Sequence, residues 1–192
     1  MRTGMEWDPW FLDICNTVAK KSQCLSRKIG SVLVKDNSII STGYNGPPRG
    51  VITCDERWLV DPAMRIKAGF DSKEKDMTDE ELQILYVNKL EGKCPRYVPE
   101  MGFKSGQGLE YCVAGHAERN SLINAARNGI KTKKTKLYMN CGIPCTPCLV
   151  EIINAGVEEI IVTKIEYYDI SAEYLLKQSA LKYRVYSHLV EK

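Results

Sequence analysis

The sequence predicts an α/β fold of three layers, in which a mixed sheet lies between helices. One observation is an early hairpin, with strands predicted over 29–34 and 39–42 and a turn at 35–37. The other is the later alternation of helices with short apolar strands. Strand pairing followed by alternating helix and strand is typical of a three-layer α/β/α domain.

Local patterns justify the elements in order. A first helix is predicted to begin at Asp8-Pro9 and to end near Lys21. Its apolar residues at helical spacing are Phe11, Ile14, Cys15 and Val18. Later helices are predicted over 117–128, 146–156 and 170–178, and later strands over 136–139, 159–162 and 183–187.

Length and composition narrow the class of protein. A chain of 192 residues suits one domain, and its net charge of +3 is too small and dispersed to indicate a nucleic-acid platform. The N-terminus has no apolar signal segment, and no apolar run approaches the ~20 residues that span a bilayer. We therefore expect a soluble, cytoplasmic protein without membrane or nucleic-acid partners. The eight cysteines then favour metal ligation over a disulfide framework.

Two short motifs carry the chemistry. His116 and the pair Cys145 and Cys148 supply one imidazole and two thiolates, which fill three positions of a tetrahedral zinc ion and leave the fourth for water. Glu118 lies two residues from the histidine and can serve as a general acid and base. Alone, C-x-x-C could be a redox pair or half of a zinc ribbon. Together, H-x-E and P-C-x-x-C form the signature of zinc-dependent nucleobase deaminases.

Both motifs are predicted to open helices. Thr146 as N-cap and Pro147 at the first helical position place the two thiolates where backbone N–H groups favour charged sulfur. The histidine and glutamate likewise open a helix that Gly129 closes. Two helix N-termini are therefore predicted to converge on one metal ion.

An irregular insertion is predicted at about 47–115 within a single domain over 1–192, with a helix only over 79–90. A connection this long needs a fastening. Apart from the C-x-x-C pair, Cys15 and Cys141, four cysteines remain that could close a structural zinc site. The alternative is that some are small buried apolar residues. The four are Cys24, Cys54, Cys94 and Cys112.

With these residues in view, the chain resembles the zinc-dependent cytidine/deoxycytidylate deaminase family of phages, bacteria and archaea. The resemblance extends in order and spacing over 10–60 and 110–170. The segments that carry it are 26–34 (SRKIGSVLV), 42–47 (TGYNGP), 116–122 (HAERNSL), 125–129 (AARNG), 144–148 (PCTPC) and 154–157 (NAGV). Arg119 stands where the family usually has leucine or glutamine.

The resemblance implies the same zinc ligands and the same proton shuttle as the two motifs. His116, Cys145 and Cys148 would hold a catalytic zinc ion, and Glu118 would move protons. Members of the family can also carry a second zinc ion at positions equivalent to the four remaining cysteines. One catalytic and one structural zinc ion are therefore expected.

The resemblance also implies substrate and effector contacts. Asn45 matches an asparagine that contacts nucleotide, although Asn-Gly is equally a turn pair. Arg127 matches an arginine of phosphate recognition and effector response, although a lone arginine there is more commonly a solvated helix end. We expect Arg127 to reach the mouth of the zinc pocket. Tyr167 and Asp169 match a motif near the phosphate pocket of relatives. The cationic candidates for a 5′-phosphate are Arg27, Lys28, Arg49 and Arg127.

The activity implied by the resemblance is hydrolysis of dCMP to dUMP and ammonia in deoxynucleotide metabolism. The expected effectors are dCTP as activator and dTTP as inhibitor, and the expected assembly is a homo-oligomer such as a hexamer. One alternative is a deaminase of bases in tRNA or single strands, although no basic stripe with interleaved aromatic residues is visible. Another is a non-catalytic zinc module that binds nucleotides, in which Glu118 would have no use.

Overall fold

The structure is a computed structural model, and it describes residues 6–62, 64, 77, 78, 80, 81, 84, 92–97 and 107–186. Most of the helix predicted over 79–90, and the predicted strand end at 187, lie outside these residues. Within the described part of the chain, no helix is both long enough and apolar enough to cross a membrane.

The predicted helices and strands that the structure describes lie within about two residues of their predicted bounds, which is the usual uncertainty of helix ends. The expectation of a helix only over 79–90 within the insertion is wrong, because a capping box at Thr53 and Glu56 starts a further short helix there. The helices are α1 (Trp7–Ala19), α2 (Cys54–Val60), α3 (Ala117–Arg127), α4 (Thr146–Asn154) and α5 (Ile170–Gln178). The strands are β1 (Gly30–Lys35), β2 (Ser38–Tyr44), β3 (Lys136–Met139), β4 (Glu159–Val162) and β5 (Lys182–Val185). Short 3-10 turns lie at Pro95–Tyr97 and Leu109–Tyr111.

Two compact units make up the chain. The first unit combines Met1–Ser22, Lys28–Asn45 and Gly115–Lys192, and the second combines Gln23–Arg27 and Gly46–Ala114. The organisation as one domain with an insertion stays a prediction.

The first unit contains the mixed sheet, in the order β2-β1-β3-β4-β5. Strand β1 pairs antiparallel with β2 and β3, whereas β3, β4 and β5 run parallel. The hairpin between β1 and β2 turns at Asp36 and Asn37, whose φ angles of 49° and 58° suit a tight turn that follows the twist of the strands. The predicted mixed sheet is confirmed.

Helices cover both faces of this sheet. Successive residues of a strand point to opposite faces, so Val32 and Val34 pack with Phe11 and Cys15 of α1, whereas Leu33 faces the other side. On that side, the core includes residues of α3, α4 and α5, among them Leu122, Ala125, Leu149, Ile152, Ala172 and Leu176. The three-layer prediction is therefore confirmed.

Two glycines let helices approach the sheet closely. A Cβ atom at Gly43 of β2 would lie 2.2 Å from the carbonyl oxygen of Ala117, and one at Gly30 of β1 would lie 2.1 Å from that of Cys15. Both contacts are with backbone atoms, which cannot turn aside. Because Gly43 has no side chain, α3 can lie directly against β2 at this position.

Hydrogen bonds stabilise α2 within the second unit. Helix α2 begins with a capping box, in which the Thr53 and Glu56 side chains each bond the other residue's backbone N–H. Arg57 of α2 pairs with Asp61 at 2.7 Å and donates to the carbonyl of Tyr111, also at 2.7 Å. These bonds connect α2 with the segment that precedes Cys112.

Candidate metal centre

Helix α3 presents the first motif. His116 is its N-cap residue, and Glu118 lies in its first turn. The Ser31 hydroxyl donates a hydrogen bond of 2.7 Å to the Ala117 carbonyl, and the Ser121 hydroxyl donates one of 2.8 Å to the Glu118 carbonyl. These bonds attach the start of α3 to β1 and fix its first turn.

Helix α4 presents the second motif, with one difference from the prediction. Its N-cap residue is Cys145 and not Thr146, and Pro147 lies in the first turn. The physical reason is that the Thr146 hydroxyl donates a hydrogen bond of 2.5 Å to Oδ1 of Asp169. Since that hydroxyl is engaged elsewhere, the predicted Thr146 cap is wrong.

The topology brings both helix starts to one edge of the sheet. Ser31, near the beginning of β1, pairs with Met139 at the end of β3, and Gly30 pairs with Tyr44 at the end of β2. Helix α4 follows β3, and Asn120 of α3 donates to the Tyr44 carbonyl at 2.8 Å. Polar groups gather at the carboxyl ends of parallel strands, as in other α/β proteins.

At this edge, four side chains converge. Nδ1 of His116 lies 3.4 Å from Sγ of Cys145 and 3.3 Å from Sγ of Cys148, and the two sulfur atoms lie 3.4 Å apart. Oε1 of Glu118 lies 3.8 Å from Nδ1 of His116. All four ligand atoms are within 4.8 Å of one another. The residues of the two sequence motifs are thus brought together.

The donor set fits zinc. A tetrahedral zinc ion holds nitrogen and sulfur ligands about 3.5 to 3.8 Å from one another, only a few tenths of an ångström more than the distances here. Two thiolates also balance the charge of a divalent cation. Three protein ligands leave one tetrahedral position open, which is typical of a catalytic zinc site.

Burial and hydrogen bonding shift the ionisation of these groups. Burial raises the pKa of Glu118, whose exposed fraction is 4%. A hydrogen bond with Cys148 lowers the pKa of Cys145 to about 4, whereas the same interaction raises the pKa of Cys148. A hydrogen bond with Cys145 raises the pKa of His116. Two adjacent thiolates repel each other, so a cation is needed before both can be ionised.

A bidentate ion pair joins the two motif helices. Nε and Nη2 of Arg119 lie 2.9 Å and 2.8 Å from the carboxylate oxygens of Glu151. This partner was absent from the sequence predictions. The available signal was its spacing, since Glu151 lies three residues after Cys148 and so shares a face of α4 with it. Ser31 was also missed, and a polar residue within an apolar strand was the signal there.

Two other predicted residues, Asn45 and Lys28, flank the paired ends of β2 and β1 at this edge. Oδ1 of the buried Asn45 accepts hydrogen bonds from the Ser22 hydroxyl and the Ile29 N–H, both at 2.8 Å. Lys28 is exposed, two residues before β1. The hydroxyl of Tyr167 lies 3.2 Å from that of Tyr183.

Asp169 has a structural role in α5. It is the N-cap residue and accepts a hydrogen bond of 2.7 Å from the Ala172 N–H. The hydrogen bond from Thr146 contributes most to lowering the pKa of Asp169.

Arg127 does not reach this centre in its own chain. It is the exposed last residue of α3, nine positions beyond Glu118. At 1.5 Å per residue, this places it roughly 14 Å along the helix axis from Glu118. The expectation that it lies at the mouth of the zinc pocket is therefore wrong for a single chain. Arg27 and Arg49 are exposed residues of the second unit.

The four other predicted cysteines all belong to the second unit. All eight cysteines of the chain are thiols, and none forms a disulfide. Cys54 and Cys94 are buried, and burial raises the pKa of the Cys54 thiol to about 11, with smaller contributions from the charges of Cys112, Cys94 and Cys24. A structural zinc site at these four residues stays a prediction.

Comparison with known proteins agrees with this architecture. Residues 5–164 match the family model for the cytidine and deoxycytidylate deaminase zinc-binding region. The deoxycytidylate deaminase of Schizosaccharomyces pombe is 28% identical over 94% of this chain and 44% of its own length. That of Enterobacteria phage T2 is 31% identical over 78% of this chain and 76% of its own length. The structure of dCMP deaminase from cyanophage S-TIM5 in complex with dCMP and dUMP has a TM-score of 0.58 and 19% identity, and the match covers 95% of this chain and 99% of that one.

The fold and the metal centre define a zinc-binding α/β domain. The chain belongs to the cytidine and deoxycytidylate deaminase family, as the match over residues 5–164 shows. It spans less than half the length of its S. pombe relative. The predicted family and fold class are confirmed.

Proposed function

We propose that this protein is a zinc-dependent hydrolase that converts dCMP and water to dUMP and ammonia. The observation that carries the proposal is the convergence of His116, Cys145 and Cys148 beside the buried carboxylate of Glu118. A closed structural zinc site has no use for an unligated carboxylate. The substrate is supported by the S. pombe and phage relatives, which are deoxycytidylate deaminases.

In this mechanism, His116, Cys145 and Cys148 hold the zinc ion, and Glu118 moves protons. When bound, zinc supplies Lewis-acid activation of a water molecule. Glu118 takes a proton from a water molecule, and the water oxygen attacks C4 of cytosine. Glu118 then delivers this proton to N3 of the base. It then carries the second proton to the departing amine, so that ammonia leaves and the C4 carbonyl forms. Burial suits Glu118 to this exchange, because its raised pKa brings it closer to neutral pH.

For the 5′-phosphate, Lys28 is our first candidate among the predicted cations. It precedes the end of β1 that pairs with β2 and β3 beside the metal centre, whereas Arg127 lies at the far end of α3. Asn45 at the same edge is the candidate for nucleotide contact, held by its bonds with Ser22 and Ile29. Tyr167 and Arg27 are secondary candidates that rest on the resemblance.

Ammonia release from dCMP, dCTP, deoxycytidine and cytosine tests the activity and the phosphate site together. We expect dCMP to be the preferred substrate of the zinc-loaded protein. Lys28→Ala should lower kcat/KM for dCMP about ten- to a hundred-fold, the value of one charge-assisted contact, and should leave deoxycytidine turnover unchanged. Lys35→Ala, at the opposite end of β1, is the matched control. No ammonia from any of the four compounds would reject the proposed activity.

We further propose a structural zinc ion bound by Cys24, Cys54, Cys94 and Cys112. The burial of Cys54 and Cys94 and the mutual influence of the thiols support it. Metal analysis should give two zinc ions per wild-type chain. Cys54→Ala should lose one zinc ion together with stability, Cys145→Ala should lose the other together with activity, and Cys141→Ala should keep both. One zinc ion in the wild type would contradict the second site.

Regulation, assembly and location are proposed on the resemblance alone. They comprise activation by dCTP, inhibition by dTTP with Arg127 as an effector contact, a homo-oligomer such as a hexamer, and a cytoplasmic location. Sedimentation in the presence of each triphosphate tests the assembly. Saturation curves for dCMP, measured with wild type and Arg127→Ala, test the activation, the inhibition and the effector contact. Curves that are identical with and without both triphosphates would exclude the regulation.

A further inference from the structure

A hydrogen bond connects the cysteine motif to the next helix of the fold. Thr146 lies between the two zinc cysteines, and its hydroxyl donates to Oδ1 of Asp169 at 2.5 Å. The same oxygen accepts the Ala172 N–H at 2.7 Å, as the N-cap of α5. One carboxylate therefore joins the first residue of α4 to the first turn of α5.

This bond lies where α4 begins. A threonine just before a helix-starting proline would ordinarily be the N-cap, with its oxygen accepting a backbone N–H two or three residues later. Here the hydroxyl is directed to Asp169, and the helix starts one residue earlier, with Cys145 as the N-cap at φ −67° and ψ 161°.

The earlier start determines how the sulfur atoms are presented. Residues three apart lie side by side only where both belong to the same helical turn. With Cys145 as N-cap and Cys148 three positions later, the first turn of α4 brings their sulfur atoms to 3.4 Å from each other and to within 3.4 Å of His116 Nδ1. A helix with Thr146 as its N-cap would leave Cys145 outside the first turn.

We propose that Asp169 is a positioning residue for the zinc cysteines. By accepting the Thr146 hydrogen bond, it fixes the turn that presents Cys145 and Cys148 to one metal ion. The inference rests on the proposed zinc-dependent function. It differs from the phosphate contact implied by the resemblance, because a carboxylate repels a phosphate group.

Zinc affinity, measured by competition with a chelator, tests this role. Thr146→Val keeps the shape of the side chain and removes the hydroxyl, so we expect it to weaken zinc binding roughly 10- to 100-fold, as the loss of an outer partner at a metal site does. Thr146→Ser should restore near wild-type affinity. The matched control is Thr132→Val, which removes a hydroxyl hydrogen bond of 2.8 Å to Ala155 at the other end of α4. This control should bind zinc like the wild type.

Substitutions of Asp169 and a spectroscopic readout complete the test. Asp169→Ala should weaken zinc binding as Thr146→Val does, whereas Asp169→Asn should retain most of the affinity. The double variant Thr146→Val with Asp169→Ala should bind zinc no more weakly than Thr146→Val alone. Cobalt-loaded Thr146→Val should show shifted thiolate-to-metal absorption, and cobalt-loaded Thr132→Val should not. If Asp169→Ala fails to fold, Thr146→Val still decides, because it leaves the α5 cap in place.

Wild-type zinc affinity and cobalt spectrum in Thr146→Val would overturn the inference. These measurements need no nucleotide. A wild-type protein that binds zinc at this centre and releases no ammonia from dCMP would therefore reject the proposed function without affecting the positioning role of Asp169.

Discussion

Ser31 donates a hydrogen bond to the carbonyl of Ala117, 86 residues later in the sequence, at a distance of 2.7 Å. Both residues are fully buried, and Ala117 is the residue between His116 and Glu118. The bond runs from the sheet to the first turn of α3. The positions of the candidate zinc ligand His116 and of the candidate proton shuttle Glu118 thus depend on a buried hydroxyl of β1.

Removal of this hydroxyl should destabilise the protein. We expect Ser31→Ala to lower the free energy of unfolding by about 1 kcal/mol, the typical contribution of one hydrogen bond, as measured by urea denaturation. Ser38→Ala, at an exposed position of β2, is the control and should change stability by less than about 0.5 kcal/mol. Equal effects of the two substitutions would mean that the bond to Ala117 contributes nothing.

Local signals explain how much of this molecule was predictable. Helix periodicity, apolar strands and turn residues act over a few positions, and they located the hairpin, β3, β4 and α5. The metal ligands were equally accessible, because His116, Cys145 and Cys148 lie in short motifs with a chemical reason for their spacing.

The features that were missed depend on contacts between distant residues. The Thr146 cap was lost to Asp169, a competing partner 23 residues away that local capping rules cannot include. Arg127 was misplaced for a different reason, since the predicted helix over 117–128 already put it nine positions beyond Glu118. The Arg119 and Glu151 pair exists only because α3 and α4 lie side by side.

Glu118→Gln should separate catalysis from metal binding. Since Glu118 is proposed to move protons and not to hold zinc, the variant should keep its zinc and lose activity by about 10²- to 10⁴-fold. Its stability should equal or exceed that of the wild type, because ionising a carboxylate this deeply buried costs free energy. Metal analysis, ammonia release and urea denaturation measure the three quantities. The control is Glu173→Gln on α5, and near-normal turnover of a zinc-loaded Glu118→Gln protein would exclude the assigned role.

Gly43→Ala should displace α3 from the sheet. The added Cβ atom would lie 2.2 Å from the Ala117 carbonyl oxygen and 2.3 Å from the Ser121 nitrogen, and both are backbone atoms. Such overpacking costs about 1 to 3 kcal/mol or more, and here it should also weaken zinc binding by moving His116. Gly46→Ala is the control, since its Cβ atom would meet nothing within 4 Å. Thermal denaturation and chelator competition should show changes for the first variant only.

The acid dependence of stability should reveal the charge on Asp169. Hydrogen bonds from Thr146 and Ala172 lower its pKa in the folded protein below the ordinary value of 3.8. Between these two values the unfolded state binds more protons than the folded state, so stability rises with pH there. The contribution of this carboxylate is therefore complete above about pH 4 and is lost as the pH falls through the folded-state pKa.

Urea denaturation of wild type and Asp169→Asn from pH 7 down to pH 3 measures this contribution. Asparagine keeps an oxygen that can accept both hydrogen bonds, so the difference in unfolding free energy isolates the charge. The difference should stay constant from pH 7 to about pH 4 and then shrink. Asp13→Asn, at an exposed position of α1, is the control for any loss of zinc in acid. A difference that widened on acidification would mean that the carboxylate is protonated more easily in the folded protein, contrary to its hydrogen bonds with Thr146 and Ala172.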